Sequence, residues 1–134
     1  MSNLSHCYNY LEKPSPPEFI KLLSATPETM VLSWRPGYDG NLELTEYTLQ
    51  IKQDENEEGS KITRFFRNVN LQQQWRHAQS LTIRNSGPYR VRGLHPGTRY
   101  LCRVKAMNRL GFSGFSPVAA FSTLEKGKIF AKRS

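Results

Sequence analysis

Apolar and polar residues alternate along most of this chain in short runs separated by turn residues. That period of two places one side of a β-strand against a core and leaves the other in water. The stretch "TMVLSW" puts Met30, Leu32 and Trp34 on one face and Val31 and Ser33 on the other, and "PGYDGN" (36–41) then breaks the chain. "EYTLQIK" resumes the alternation with Tyr47, Leu49 and Ile51 inward, and "QDENEEGS" is a charged turn. "KITRFF" (61–66) is rich in β-formers and predicts a fourth strand. "PYRVRGL" turns Tyr89 and Val91 inward and Arg90 and Arg92 outward, before an "HPG" turn. The cleanest alternation is "YLCRVKAMN", with Tyr100, Cys102, Val104 and Ala106 inward and Leu101, Arg103 and Lys105 outward. "VAAFST" ends the strand pattern.

Between these runs the pattern loosens only once. Residues 67–87 are polar, and "LQQQWRHAQSL" spaces Leu71, Trp75, Ala78 and Leu81 as a short helix would. Helix and irregular loop both remain open for this stretch. "KPSPPEF" (13–19) is extended by its prolines and separates a flexible leader, 1–13, from a domain over 14–124. Residues 125–134 read as a basic flexible tail. Seven short strands with no long helix predict an all-β, immunoglobulin-like sandwich with a long connection between strands four and five. Two sheets must meet to bury the one-sided rows, with Trp34 and Leu94 in the interior.

Composition bounds the function. The 134 residues suit one domain, and no apolar run approaches the length that spans a bilayer. "MSNLSHCYNYLEK" has neither a basic n-region nor an apolar h-region, so with Met1 as the native start a cytoplasmic protein is expected. Cys7 and Cys102 are too few for a disulfide scaffold. Asn3-Leu4-Ser5 fits a glycosylation sequon, a pattern common by chance. The net charge of +8 is unevenly distributed: residues 1–59 carry 4 basic and 10 acidic side chains, the remainder 15 and 1. Such a split suits an acidic partner if the fold gathers the cations on one side.

The chain resembles the fibronectin type III domain over about 14–124. The resemblance rests on "PSPPEF", "MVLSW", "EYTLQIK" and above all "VRGLHPGTRYLCRVKAMNRLGFSGFSP". In the last stretch Leu94, Pro96, Gly97, Thr98, Tyr100, Val104, Ala106, Asn108, Gly111 and Ser116 fit the family pattern. The resemblance implies a tyrosine corner at Tyr100, whose phenol bonds nearby backbone. It also implies one sheet of the third, fourth, sixth and seventh strands, and use as a binding scaffold. No Arg-Gly-Asp tripeptide is present, so integrin binding gains no support.

"GFSGFSP" (111–117) is the stretch with the most chemistry to weigh. A nucleophile elbow needs G-x-S-x-G between strand and helix, and here the order is one residue short with a strand following. The histidines, His6, His77 and His95, lie in unrelated segments, and neither a metal-ligand cluster nor a phosphate-cradling loop is visible. No enzyme, cofactor or metal is expected. "FSGFS" also resembles the W-S-x-W-S signature of cytokine-receptor modules with both tryptophans replaced. There a ladder would set Arg103, and with it Arg64, against Phe112 and Phe115. The plainer reading, a loop leading into the last strand, is the one expected.

The function expected is a non-catalytic, monomeric protein-interaction module. The first alternative is a polyanion-binding domain, for nucleic acid or sulfated polysaccharide, using Arg64, Arg67, Arg103 and Lys105. The second is a cytokine-receptor-like ectodomain fragment. Trp75 and Arg76 are the leading protein contacts if their segment stands away from the sandwich, and otherwise Trp75 covers a sheet edge.

Overall fold

The computed structural model describes residues 10–55, 74–85 and 87–127. Eight strands are described: β1 (Glu18–Ala25), β2 (Met30–Arg35), β3 (Glu46–Gln53), β4 (Gln79–Ile83), β5 (Tyr89–Val91), β6 (Arg99–Asn108), β7 (Gly111–Phe112) and β8 (Ala119–Ser122). They form two antiparallel sheets. One has the order β1-β2-β5, and in the other β4 and β6 flank β3 while β7 and β8 both pair with β6.

The alternation that predicts the strands also builds the core. Met30, Leu32 and Trp34 from β2 meet Tyr47, Leu49 and Ile51 from β3 and Tyr100, Cys102, Val104 and Ala106 from β6. Val91 and Leu94 complete this layer. Trp34 stands edge-on to Tyr47 with ring centroids 5.5 Å apart, and its indole N–H has no hydrogen-bond partner among the described residues. Tyr100 accepts a hydrogen bond at its hydroxyl from the backbone N–H of His95 at 2.8 Å, closing the turn before β6.

Two parts of the sequence reading bear on this sheet. The fourth strand expected at 61–66 lies outside the described residues, and the strand that pairs with β3 is Gln79–Ile83. In the chain, residues 54–78 lie between β3 and β4, with 56–73 outside the described residues, and 84–88 lie between β4 and β5. The helical option also ends at residue 78. Leu81 and Ile83 sit opposite Leu49 and Tyr47, so alternation against β3 decides their conformation and helical spacing does not. The eighth strand arises because Gly111–Phe112 pairs with the end of β6.

The described end of the expected leader is tied down. Asn108, at the end of β6, is buried and donates through Nδ2 to the carbonyls of Glu12 at 2.7 Å and Asp39 at 2.9 Å. Its Oδ1 accepts from the Leu110 N–H at 2.8 Å. Gly40 has φ +75°, and a Cβ there would meet the Glu12 carbonyl at 1.9 Å, so only glycine lets the leader and the loop approach this closely. No described helix is long and apolar enough to cross a membrane.

Replacing Trp34 with alanine should lower unfolding free energy by about 3–5 kcal/mol. Trp34→Phe should cost much less, because it keeps most of the apolar volume and removes the unpaired donor. Urea titration of both variants measures this, and equal losses would contradict a packing role.

Burial also makes a pH prediction. The Cys102 thiol is pushed up to about 12 from its ordinary 9.0 by desolvation, and burial raises the Tyr47 phenol as well. Folding thus favours the neutral forms. Their contribution is complete below the unfolded thiol value and is lost as pH rises toward the folded one. Stability should fall from about pH 9 upward, less steeply in Cys102→Ala, in melts run across that range. A profile unchanged by the substitution would contradict the buried thiol.

Candidate functional site

β6 presents alternate side chains to opposite sides, so Arg103 and Lys105 emerge together on the outer face of the larger sheet. Both are only half exposed. The guanidinium of Arg103 lies 4.3 Å from the centroid of Trp75 and 3.8 Å from that of Phe115. The ammonium of Lys105 lies 4.0 Å from Phe112 and 5.0 Å from Phe115. Lys52, from β3, adds a further cation 4.9 Å from Trp75. Rings and cations interleave in the order Trp75, Arg103, Phe115, Lys105, Phe112. Each contact is worth about 0.5–1 kcal/mol when exposed and about 2 when desolvated.

The two serines of "GFSGFSP" hold these rings in place. Ser113 donates its N–H to the Ala106 carbonyl at 2.7 Å, and its hydroxyl accepts the Ala106 N–H at 2.9 Å. Ser116 repeats this on Val104, donating at 2.7 Å and accepting at 3.0 Å. Each serine thus satisfies both backbone groups of one β6 residue. The three-residue repeat steps by two residues along β6, which sets Phe112 and Phe115 beside the cations. The hydroxyls also donate to the carbonyls of Gly114 and Pro117. Fixed on both sides in this way, they act as ladder bonds. The stretch is the loop leading into β8, as expected, and its rings are also the aromatic half of a cation–π ladder.

Of the two options for Trp75, the structure shows the covering one. It is 6% exposed, lying against Lys52 and Arg103, while its neighbour Arg76 is exposed. The start of the long connection is fixed too: Asp54 pairs with Arg99 through Nε–Oδ2 at 2.8 Å and through its backbone N–H at 2.9 Å. Burial pulls the Arg103 guanidinium below its usual range. It does the same to the Lys52 ammonium, partly offset by the carboxylates of Glu55 and Asp54. Arg103 Nε donates to Gln50 Oε1 at 2.9 Å. Arg64 and Arg67 lie outside the described residues, and Arg90 sits on β5 in the other sheet.

Phe115 also lines a second feature. An open groove of about 940 Å³ runs between the residues that begin β1 and those that begin β8, with Pro16, Phe19, Tyr38, Pro117 and Val118 along it. Phe19 is 60% exposed, has φ +56° and carries the Arg35 guanidinium 4.6 Å from its ring centroid. Sequence reasoning missed Phe19 as a site residue. The signal for Phe19 was its place beside Ile20 and Leu22, which take the inward positions of β1 and leave residue 19 outside.

Ser116→Ala should destabilise the chain by about 1–3 kcal/mol, because the buried Val104 N–H loses its acceptor. Thermal and urea unfolding test this. A neutral substitution would mean that the serines do not hold the ladder.

The fold and this geometry can be set beside known proteins. The chain is 29% identical over 121 residues to Roundabout homolog 2 of Homo sapiens, covering 88% of this chain and 7% of that protein. It is 34% identical over 131 residues to myosin-binding protein H-like of Mus musculus, covering 92% and 32%. It spans a third or less of either relative. Among solved structures, the twitchin kinase region from C. elegans superposes with a TM-score of 0.65 at 22% identity, over 91% of this chain and 18% of that one. The family profile of the fibronectin type III domain matches residues 15–122. This chain belongs to the fibronectin type III domain family.

Proposed function

We propose that the chain is a non-catalytic module that binds a protein partner through the groove at Phe19 and the ladder face beside it. The observation that carries this reading is Phe19 itself. A non-glycine residue with positive φ costs about 1–3 kcal/mol, and this one displays an aromatic ring to water. Aromatic side chains and arginine are the residue types that dominate protein interfaces. Arg35 on β2 stacked on Phe19 of β1 supplies them from strands, with Tyr38 and Val118 exposed nearby. The non-catalytic part of the reading is supported by the serine hydroxyls, whose bonds to β6 occupy them. A cytoplasmic setting goes with it, supported by the buried free thiol of Cys102.

The polyanion alternative draws on the basic second half of the chain. Against it, the described cations do not gather on one side: Arg103 and Lys105 stand on the larger sheet and Arg90 on the opposite one. With the intact chain as bait in native lysate, the retained protein should survive a rise to about 0.5 M salt. Phe19→Ala and Tyr38→Ala should each reduce its retention about tenfold. Retention that collapses with salt and ignores both substitutions would favour the polyanion reading.

A further inference from the structure

The ladder leaves a specific part of each cation unused. Arg103 gives its Nε to Gln50 and lies against two rings, so its terminal Nη groups are what remains for a partner. Lys105 Nζ is placed over Phe112 and Phe115, and rings accept no more than a fraction of an ammonium's hydrogen-bonding capacity. Among the described residues the ion pairs are Arg84–Glu46 and Arg99–Asp54, and neither Arg103 nor Lys105 meets a carboxylate. Two half-buried positive charges are therefore held together on one face with no ion pair to either among the described residues, the carboxylates of Glu55 and Asp54 acting on Lys52 beside them. Each is fixed by aromatic contacts, so little side-chain entropy is left to lose on binding. Burial already penalises the charged form of Arg103, as its lowered pKa indicates.

The spacing defines what fits. Arg103 and Lys105 are two residues apart on β6, and strand geometry sets such positions about 6.4–6.8 Å apart on one face. An extended peptide with carboxylates at alternate positions repeats that distance. A guanidinium fork and an ammonium beside it then receive one carboxylate each, the first with two donors.

We propose that the ladder face receives an extended acidic peptide of the protein partner, with carboxylates two residues apart seated on Arg103 and Lys105. This rests on the interaction-module reading and names the chemistry of one part of its partner.

The test uses the full chain and fluorescent synthetic peptides of alternating glutamate and threonine, with glutamine in place of glutamate as the control. Anisotropy titrations at about 50 mM salt should show binding of the acidic peptide and none of the control. Lys105→Met, which keeps an apolar stem against Phe112, should weaken binding at least about fivefold. Arg103→Lys, which keeps the charge and loses the fork, should weaken it at least about threefold. Arg90→Gln, on the opposite sheet, should change nothing. Near-ultraviolet circular dichroism verifies the fold of each variant, and should Arg103→Lys fail to fold, Lys105→Met decides alone. Equal loss with Arg90→Gln, no loss with Lys105→Met, or a sulfated oligosaccharide binding at least about tenfold more tightly than the peptide would overturn the proposal. Should the peptide fail while Phe19→Ala still lowers partner retention, the acidic-peptide proposal falls and the module reading stands.

Discussion

The outer face of the larger sheet depends on how Arg103 and Lys105 are accommodated. β6 carries two cations onto a surface that other segments fold across, and a half-buried charge needs compensation. Aromatic faces provide it here, because the negative face of each ring meets the cation without a second formal charge to desolvate. From that requirement follow the positions of Phe112, Phe115 and Trp75 and the paired bonds of Ser113 and Ser116.

β6 links this face to the interior. Its even-numbered residues from Tyr100 to Asn108 are buried, and its odd-numbered ones from Leu101 to Met107 are half-covered by what packs on the outside. The same strand pairs with β3 along its length, with β8 at its start and with β7 at its end. Asn108 then extends its reach to the chain before β1 and to the loop after β2, through bonds to Glu12 and Asp39. The groove forms where these elements separate again, between the starts of β1 and β8. Core, ladder and groove are thus arranged around one strand, and Phe115 contributes to both outer features.

What the sequence revealed, and what it hid, follows from the range of the forces. One-sided alternation is local, so β2, β3 and β6 and their inward residues were legible, and so was the family. β4 was not, because only its pairing with β3 marks Gln79–Ile83 as a strand, and the strand expected at 61–66 lies outside the described residues. Leu81 fits helical and strand spacing alike until Leu49 stands opposite it. The ladder was visible as a motif, but choosing it over an ordinary loop required Trp75. That ring reaches Arg103 from 28 positions away in the chain. For Phe19 the local pattern beside Ile20 and Leu22 marks an outward position, but its positive φ belongs to an irregular β1 register that the pattern does not show.

Membership of the fibronectin type III family places the chain on a scaffold whose partners are chosen by exposed features, and here those features are unusually coupled to the framework that holds them. The most direct test of the account is a double-mutant cycle on Arg103→Met and Phe115→Leu, read by urea unfolding. The account predicts a coupling of about 0.5–2 kcal/mol between the two positions. Strictly additive losses would contradict it, since the ring and the cation would then be neighbours that contribute nothing to one another.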